Sequence, residues 1–281
     1  MIVIKDPLLF KDWLAVKRIS NGPIGFVPTM GALHQGHIAL IRQAREESGL
    51  VVCSIFVNPT QFNDPKDFTK YPVTTEDDIY QLETAGTDVL FLPSVEGLYP
   101  NGTKDLERYD LGYLENILEG FYRPGHYQGV CQVMSRLLKA VGPDLLFMGQ
   151  KDYQQCMVVN RLIHILKMNT RLVTCPTIRE PDGLAMSSRN KRLDKKQREN
   201  AVAIYKALSY IKENINAGIT NAVIDEAIQL LKKYNFKPDY VAIADAGTLE
   251  LINDWDGDKK LVALIAAFQQ DVRLIDNLLL N

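Results

Sequence analysis

Over the first 175 residues, short apolar runs alternate with stretches in which apolar residues recur every three or four positions. The runs at 2–4, 24–28, 50–57, 89–92, 145–148 and 172–175 are rich in Val, Ile and Phe and predict strands. Several are apolar throughout, as in parallel strands covered on both faces. Between them, helices are predicted over 38–47, 76–84, 130–140 and 154–167, the last with Val158, Leu162, Ile165 and Leu166 on one face. This β/α alternation implies an α/β fold with an open, doubly wound, Rossmann-like parallel sheet. Such sheets take ligands at the carboxyl ends of their strands, where the strand order reverses.

From Asp194 onward the texture changes. A helix is predicted over 195–213, with Asp194 as N-cap and Ile204, Leu208 and Ile211 on one face, and a second over 222–233. Strand-like segments at 240–244 and 261–267 flank a polar turn region, 253–260. The expected organisation is a larger domain over 1–175 and a smaller C-terminal α+β domain over 176–281.

Composition narrows the functional classes. The 281 residues carry 32 Lys and Arg against 34 Asp and Glu, a net charge of −2, so no overall field draws nucleic acid or anionic lipid. Cys53, Cys131, Cys156 and Cys175 form no C-x-x-C pair and read as reduced core residues. The opening Met1-Ile2-Val3-Ile4-Lys5-Asp6-Pro7 lacks the pattern of a secretory signal, and the apolar run 261–268 is too short to span a bilayer. A soluble cytoplasmic protein with no nucleic-acid or membrane partner is expected.

The chemistry concentrates in Pro28-Thr29-Met30-Gly31-Ala32-Leu33-His34-Gln35-Gly36-His37, after a strand and before a helix. A helix N-terminus suits phosphate, Gly31 and Gly36 permit close backbone approach, and His34 and His37 lie on one side of the first turn. Two imidazoles there can donate to phosphate oxygens. Half of the four histidines fall in this segment, which favours function over a pair of ordinary histidines. A zinc site is disfavoured, because no glutamate follows the first His and the glycines and Pro28 make this a loop. In Phe56-Val57-Asn58-Pro59-Thr60-Gln61-Phe62, the amides of Asn58 and Gln61 suit a hydroxy acid, against the alternative of a plain Asn-Pro turn. Gly149-Gln150-Lys151-Asp152 offers a cation for phosphate and a carboxylate for a ribose hydroxyl or a helix cap, with Gln155 one turn on. The stretch from Ile178 to Asn190 brings Met186, Ser187, Ser188 and Arg189, either a phosphate clamp or a polar linker. Glu119-Gly120-Phe121-Tyr122-Arg123-Pro124-Gly125-His126-Tyr127 is a punctuated turn that by itself could be structural. Asp77 and Asp78 are read as an acidic helix start, with supplementary magnesium ligation as the lesser alternative.

Together PTMGALHQGH, FVNPTQF, LEGFYRPGHY, GQKDYQQ, MSSRN and the late RLIDN resemble the pantothenate synthetase (pantoate–β-alanine ligase) family of H-x-G-H nucleotidyltransferases, over essentially the whole chain. The resemblance implies condensation of (R)-pantoate with β-alanine to (R)-pantothenate, with ATP going to AMP and diphosphate, magnesium, a pantoyl-adenylate intermediate, a C-terminal lid domain and a homodimer. It places Met30, Gly31, Ala32, Leu33, His34, Gln35, Gly36, His37, Gly149, Gln150, Lys151, Asp152, Ile178, Met186, Ser187, Ser188 and Arg189 at ATP. It gives catalysis to His37, His34 and Lys151, pantoate to Gln61 and Gln155, and Arg123 a position near the reaction centre. Departures from the family pattern are Val73, Tyr127, Gln150, Gln270 and Val272. Competing readings are a nucleotidyltransferase that stops after transferring a nucleotide to a phosphorylated acceptor, and a nucleotide-binding regulatory module without turnover.

Overall fold

The computed structural model describes residues 1–62, 68–69 and 71–281. It divides into two compact units, one of Met1–Gln150 with Gln154–Pro176, the other of Lys151–Tyr153 with Thr177–Asn281.

The first unit is built on a wholly parallel sheet of β1 (Ile2–Ile4), β2 (Ile24–Thr29), β3 (Leu50–Ile55), β4 (Val89–Phe91), β5 (Leu145–Gly149) and β6 (Arg171–Cys175). Their order is β1-β4-β3-β2-β5-β6. All six predicted strands are present; 50–57 overruns by two residues, since the ladder ends at Ile55, and 89–92 by one, since β4 ends at Phe91. Every residue of β3 is buried, and Val27, Ile41, Val51, Cys53, Leu90 and Phe147 pack in one cluster. From β2 the chain moves outward through β3 to β4, then crosses to β5 and β6 on the other side. The order therefore reverses between β2 and β5, and a ligand crevice belongs at their carboxyl ends.

A helix at Pro7–Asn21 has no counterpart in the sequence reading. Its start is well specified: the Asp6 carboxylate accepts from the Leu8 and Leu9 N–H groups at 2.8 Å, with proline at the first helical position. Its stripe is blurred because Phe10 and Leu14 are buried whereas Leu8, Leu9, Val16 and Ile19 are exposed.

In the second unit, β8 (Phe236–Asp245), β10 (Leu261–Gln269) and β11 (Val272–Leu279) form an antiparallel sheet in the order β11-β10-β8, while β7 (Gly218–Ile219) pairs with β9 (Asp254–Trp255). The single helix expected over 195–213 is two, Lys195–Ala201 and Ala203–Asn214, because Val202 between them has ψ −20°, a tighter turn than an α-helix makes. Asp194 does cap the first, with Gln197 returning the bond. β11 also has no counterpart in the sequence reading. Gln270, one of the departures, stands at φ 53° in the β10–β11 turn, a left-handed conformation costing an L-residue about 1 kcal/mol. Val73 is exposed. Among the described residues no helix is long and apolar enough to cross a membrane.

Candidate active site

The chain leaves β2 through a turn that its own side chains build. The Thr29 hydroxyl donates to the Ser54 carbonyl at 2.8 Å and accepts from the Gly31 N–H at 3.2 Å. Gly31 (φ 78°) and Ala32 (φ 51°) then take consecutive left-handed conformations. The turn is held by a residue for which the sequence suggested another role. Buried Asp78, in the helix Thr75–Thr84, accepts from Ala32 N–H at 2.9 Å, Leu33 N–H at 2.8 Å and the Thr74 hydroxyl at 3.1 Å. A Cβ at position 31 would lie 3.0 Å from Asp78 Oδ2 and 3.2 Å from Ile55, so a side chain there would be crowded as well as strained by φ. Both Asp78 oxygens serve the loop, a role beyond the acidic helix start that the sequence suggested.

Asp78→Asn keeps the shape but turns an NH2 toward a backbone N–H. We expect it to lower stability by about 1–3 kcal/mol and to raise the KM for ATP, checked by thermal denaturation and steady-state kinetics.

The next residue caps the helix Gln35–Glu47. His34 Nδ1 accepts from Gly36 N–H at 3.2 Å, and His37 Nδ1 accepts from His34 N–H at 3.3 Å. The rings lie 4.1 Å apart, tilted by 41°. With each Nδ1 accepting, each neutral ring carries its proton on Nε2, so the network presents two Nε2–H donors. The helix start is thus partly self-capped: Gly36 and His37 N–H groups both turn to His34, leaving the imidazoles as its distinctive donors.

β3 ends beside β2, with Thr29 paired to Ile55, and delivers a 3-10 turn at Pro59–Gln61. Asn58 is wholly buried and internally engaged. Its Nδ2 donates to Gln61 Oε1 at 3.1 Å and the Gly129 carbonyl at 3.0 Å, while Oδ1 accepts from Tyr99 Oη at 2.9 Å and Thr60 Oγ1 at 3.1 Å. The expectation that Asn58 offers its amide to a substrate is therefore corrected: it shapes the turn. Gln61 Nε2 lies 3.1 Å from Met30 Sδ, joining the two loops.

The helix His126–Val141 packs against this turn at Gly129. A relay supports the same point. Glu119 and Arg123 approach at 3.5 Å, Arg123 Nη1 lies 3.1 Å from His126 Nε2, and His126 Nδ1 lies 2.9 Å from the Gln61 carbonyl. Because guanidinium only donates, His126 holds its proton on Nδ1 and gives it to that carbonyl. Arg123 and His126 therefore brace Gln61. The sequence motif was visible, but its target was not. Buried Gln154 ties this region down by accepting from Glu119 N–H at 3.0 Å and donating to the Leu114 carbonyl at 2.8 Å. Gly149 ends β5, Gln150 follows it, and half-buried Gln155 lies in the helix Tyr153–Ile165.

The second unit contains the other predicted residues. Lys151 Nζ lies 3.8 Å from Asp152 Oδ1, with the lysine side chain far more buried than the aspartate. Residues 178–186 form a tight hairpin: Met186 N–H donates to the Ile178 carbonyl at 3.0 Å, and Gly183 turns it at φ 94°. Ser187 caps the 3-10 turn Ser188–Arg192 by accepting from Arg189 N–H at 3.3 Å. All four cysteines are buried, and burial pushes the Cys175 thiol up to about 11 and that of Cys131 to about 12. These two are not thiolate nucleophiles near neutral pH.

A doubly wound parallel sheet with a self-capped histidine pair leaving β2 at the point of strand reversal defines a nucleotide-handling α/β enzyme. The family model for pantoate-beta-alanine ligase matches residues 2–279. Pantothenate synthetase of Cytophaga hutchinsonii is 45% identical, with 100% of this chain and 99% of that protein covered, and that of Pseudomonas fluorescens is 46% identical, covering 100% and 98%. The crystal structure of pantothenate synthetase from Thermus thermophilus superposes with a TM-score of 0.87 at 38% identity, covering 99% of both chains. The ligase from Francisella tularensis, complexed with beta-gamma ATP and beta-alanine, gives 0.82 at 38% identity, covering 99% of this chain and 97% of that one. The chain belongs to the pantoate–β-alanine ligase family.

Proposed function

We propose that this enzyme activates (R)-pantoate as pantoyl adenylate and then transfers the pantoyl group to β-alanine. A pantoate carboxylate oxygen attacks the α-phosphorus of ATP, forming the P–O bond of the mixed anhydride while the bond to the β-phosphate bridging oxygen breaks and diphosphate leaves. The free amine of β-alanine next attacks the activated carbonyl. A C–N bond forms, the acyl C–O bond to AMP breaks, and the amine loses a proton. Neither step requires a covalent enzyme intermediate.

In this reading, which follows the family resemblance, ATP engages Met30, Gly31, Ala32, Leu33, His34, Gln35, Gly36, His37, Gly149, Gln150, Lys151, Asp152, Ile178, Met186, Ser187, Ser188 and Arg189. Nε2–H of His37, assisted by His34 and the Lys151 cation, stabilises charge moving onto diphosphate. Gln61 and Gln155 hold pantoate. The observation that carries the reading is the reciprocal histidine cap directly after β2, in which both Nδ1 atoms accept main-chain N–H groups, so that the proton of each neutral ring sits on Nε2.

Among the described residues no group of three or more His, Cys, Asp or Glu is placed to hold a metal ion. Magnesium needs few protein carboxylates, and in this reading it would be held mainly by phosphate oxygens and water and arrive with the triphosphate. A lid role for the second unit, a homodimer and a cytoplasmic location complete the proposal.

The test is exchange of radiolabelled diphosphate into ATP without β-alanine. Pantoate-dependent exchange is expected. Exchange that is absent with pantoate, in folded protein that binds ATP and turns over with β-alanine, would replace the adenylate by a concerted mechanism.

A further inference from the structure

The late motif Arg273-Leu274-Ile275-Asp276-Asn277 supplies no group to the chemistry above, yet two of its polar residues are buried in β11. Buried polar side chains are kept only when their bonds are satisfied, and the partners show what these two do. Asp276 receives the Arg179 guanidinium in a two-point contact, Nη1 to Oδ2 at 2.6 Å and Nη2 to Oδ1 at 3.1 Å. The same guanidinium donates to the Gly183 carbonyl at 3.1 Å and the Asn277 carbonyl at 3.2 Å, and lies 4.5 Å from the centre of the Tyr205 ring. Arg179 bridges to Ala185 across the hairpin that presents Met186 and Ser187. A Cβ at Gly183 would fall 2.1 Å from the Tyr205 ring, so the hairpin is clamped from both sides. Asn277 faces a different segment: its Nδ2 donates to the Lys151 carbonyl at 2.8 Å.

We infer that Asp276 and Asn277 are positioning residues for the nucleotide, adjacent anchors on one strand that set the main chain of Lys151 and the base of the hairpin presenting Met186, Ser187, Ser188 and Arg189. This rests on the reading that Lys151 and that loop hold ATP. The physical case is one of register. Arg179 converts the position of the Asp276 carboxylate into the position of the hairpin by a planar, two-point contact that tolerates little rotation. Asn277 fixes a carbonyl in the short 3-10 turn Gln150–Asp152, where the Lys151 stem begins. A displacement of β11 at this step would move both phosphate-binding segments together.

The test is a double-mutant cycle in the full chain, read as the KM for ATP and kcat in the steady state, with thermal denaturation alongside. Asn277→Ala is expected to raise the KM for ATP about tenfold, with a smaller effect on the KM for β-alanine. In the Lys151→Ala background the same change is expected to add less than twofold, since the residue it positions is gone. If Asn277→Ala does not fold, the near-isosteric Asn277→Asp removes the donor at constant volume and takes its place in the cycle. Asp276→Asn, which breaks the two-point contact, is expected to raise the KM for ATP as well, and to do so undiminished in the Lys151→Ala background, because it acts through the hairpin. Full additivity of Asn277→Ala with Lys151→Ala, or an unchanged KM for ATP in Asn277→Ala, overturns the inference while leaving the site reading in place. An unchanged KM and kcat in Lys151→Ala itself overturns the site reading, and the inference with it.

Discussion

His37→Ala is expected to slow pantoate-dependent diphosphate exchange by about 10²–10³-fold, the usual loss when one donor to a developing charge is removed. The ring does two things, and the two can be separated. Its Nδ1 accepts the His34 N–H, half of the reciprocal cap, so the alanine variant also loses about 0.5–2 kcal/mol of stability. Its Nε2–H is the donor assigned to the reaction. Circular dichroism and a melting curve measure the first effect; exchange at saturating ATP and pantoate, well below the melting point, measures the second. His37→Gln helps to discriminate further, because a neutral side-chain amide retains an N–H donor without a titrating proton. Partial recovery of exchange in that variant is expected if hydrogen-bond donation is the main contribution. Near-normal exchange in His37→Ala would remove His37 from the mechanism altogether.

The parts of this molecule that were legible in its sequence share one property: their signal is local. The inner parallel strands β2 to β5 announce themselves as apolar runs, because both faces of each are covered and no alternation intervenes, whereas the edge strands β1 and β6 are partly exposed. The histidine pair was equally visible, since glycines, a preceding strand and a following helix frame it within ten residues. What was hidden depends on contacts across sequence. Asp78 looks like one more acidic residue in a first helical turn, where the macrodipole welcomes it, yet it reaches back 46 positions to hold Ala32. Asn58 looks like a turn residue with an amide to offer, but the fold consumes that amide. β11 escaped notice because Asp276 and Asn277 interrupt its apolar pattern at positions the structure buries. Buried polar hubs have no periodicity, and it is they that shape the loops on which the candidate site is built.

Gly129→Ala illustrates such a hub, and its expected effect is the second large one. The helix His126–Val141 crosses the 3-10 turn at Pro59–Gln61 so closely that a Cβ at 129 would lie 2.2 Å from the Thr60 carbonyl oxygen and 2.6 Å from Gln61 Cα. Both are backbone atoms, so no rotamer change relieves the clash, and helix and turn must separate by roughly 1 Å to reach ordinary contact. That separation strains the bond from Asn58 Nδ2 to the Gly129 carbonyl, at 3.0 Å, and the bond from His126 Nδ1 to the Gln61 carbonyl, at 2.9 Å. Overpacking of this kind costs about 1–3 kcal/mol of stability. The larger consequence is for Gln61: a misplacement near 1 Å in a group that orients a substrate costs about 10²-fold in rate. We therefore expect kcat/KM for pantoate to fall about 100-fold, with a much smaller change in ATP binding measured by calorimetry without pantoate. Asp78 and Thr29, neither of them in this helix, bind the main chain of the loop that leads to His34 and His37, which is why the two substrates should respond so differently. Equal losses for ATP and pantoate would show that the helix supports the whole site and not the Gln61 turn in particular.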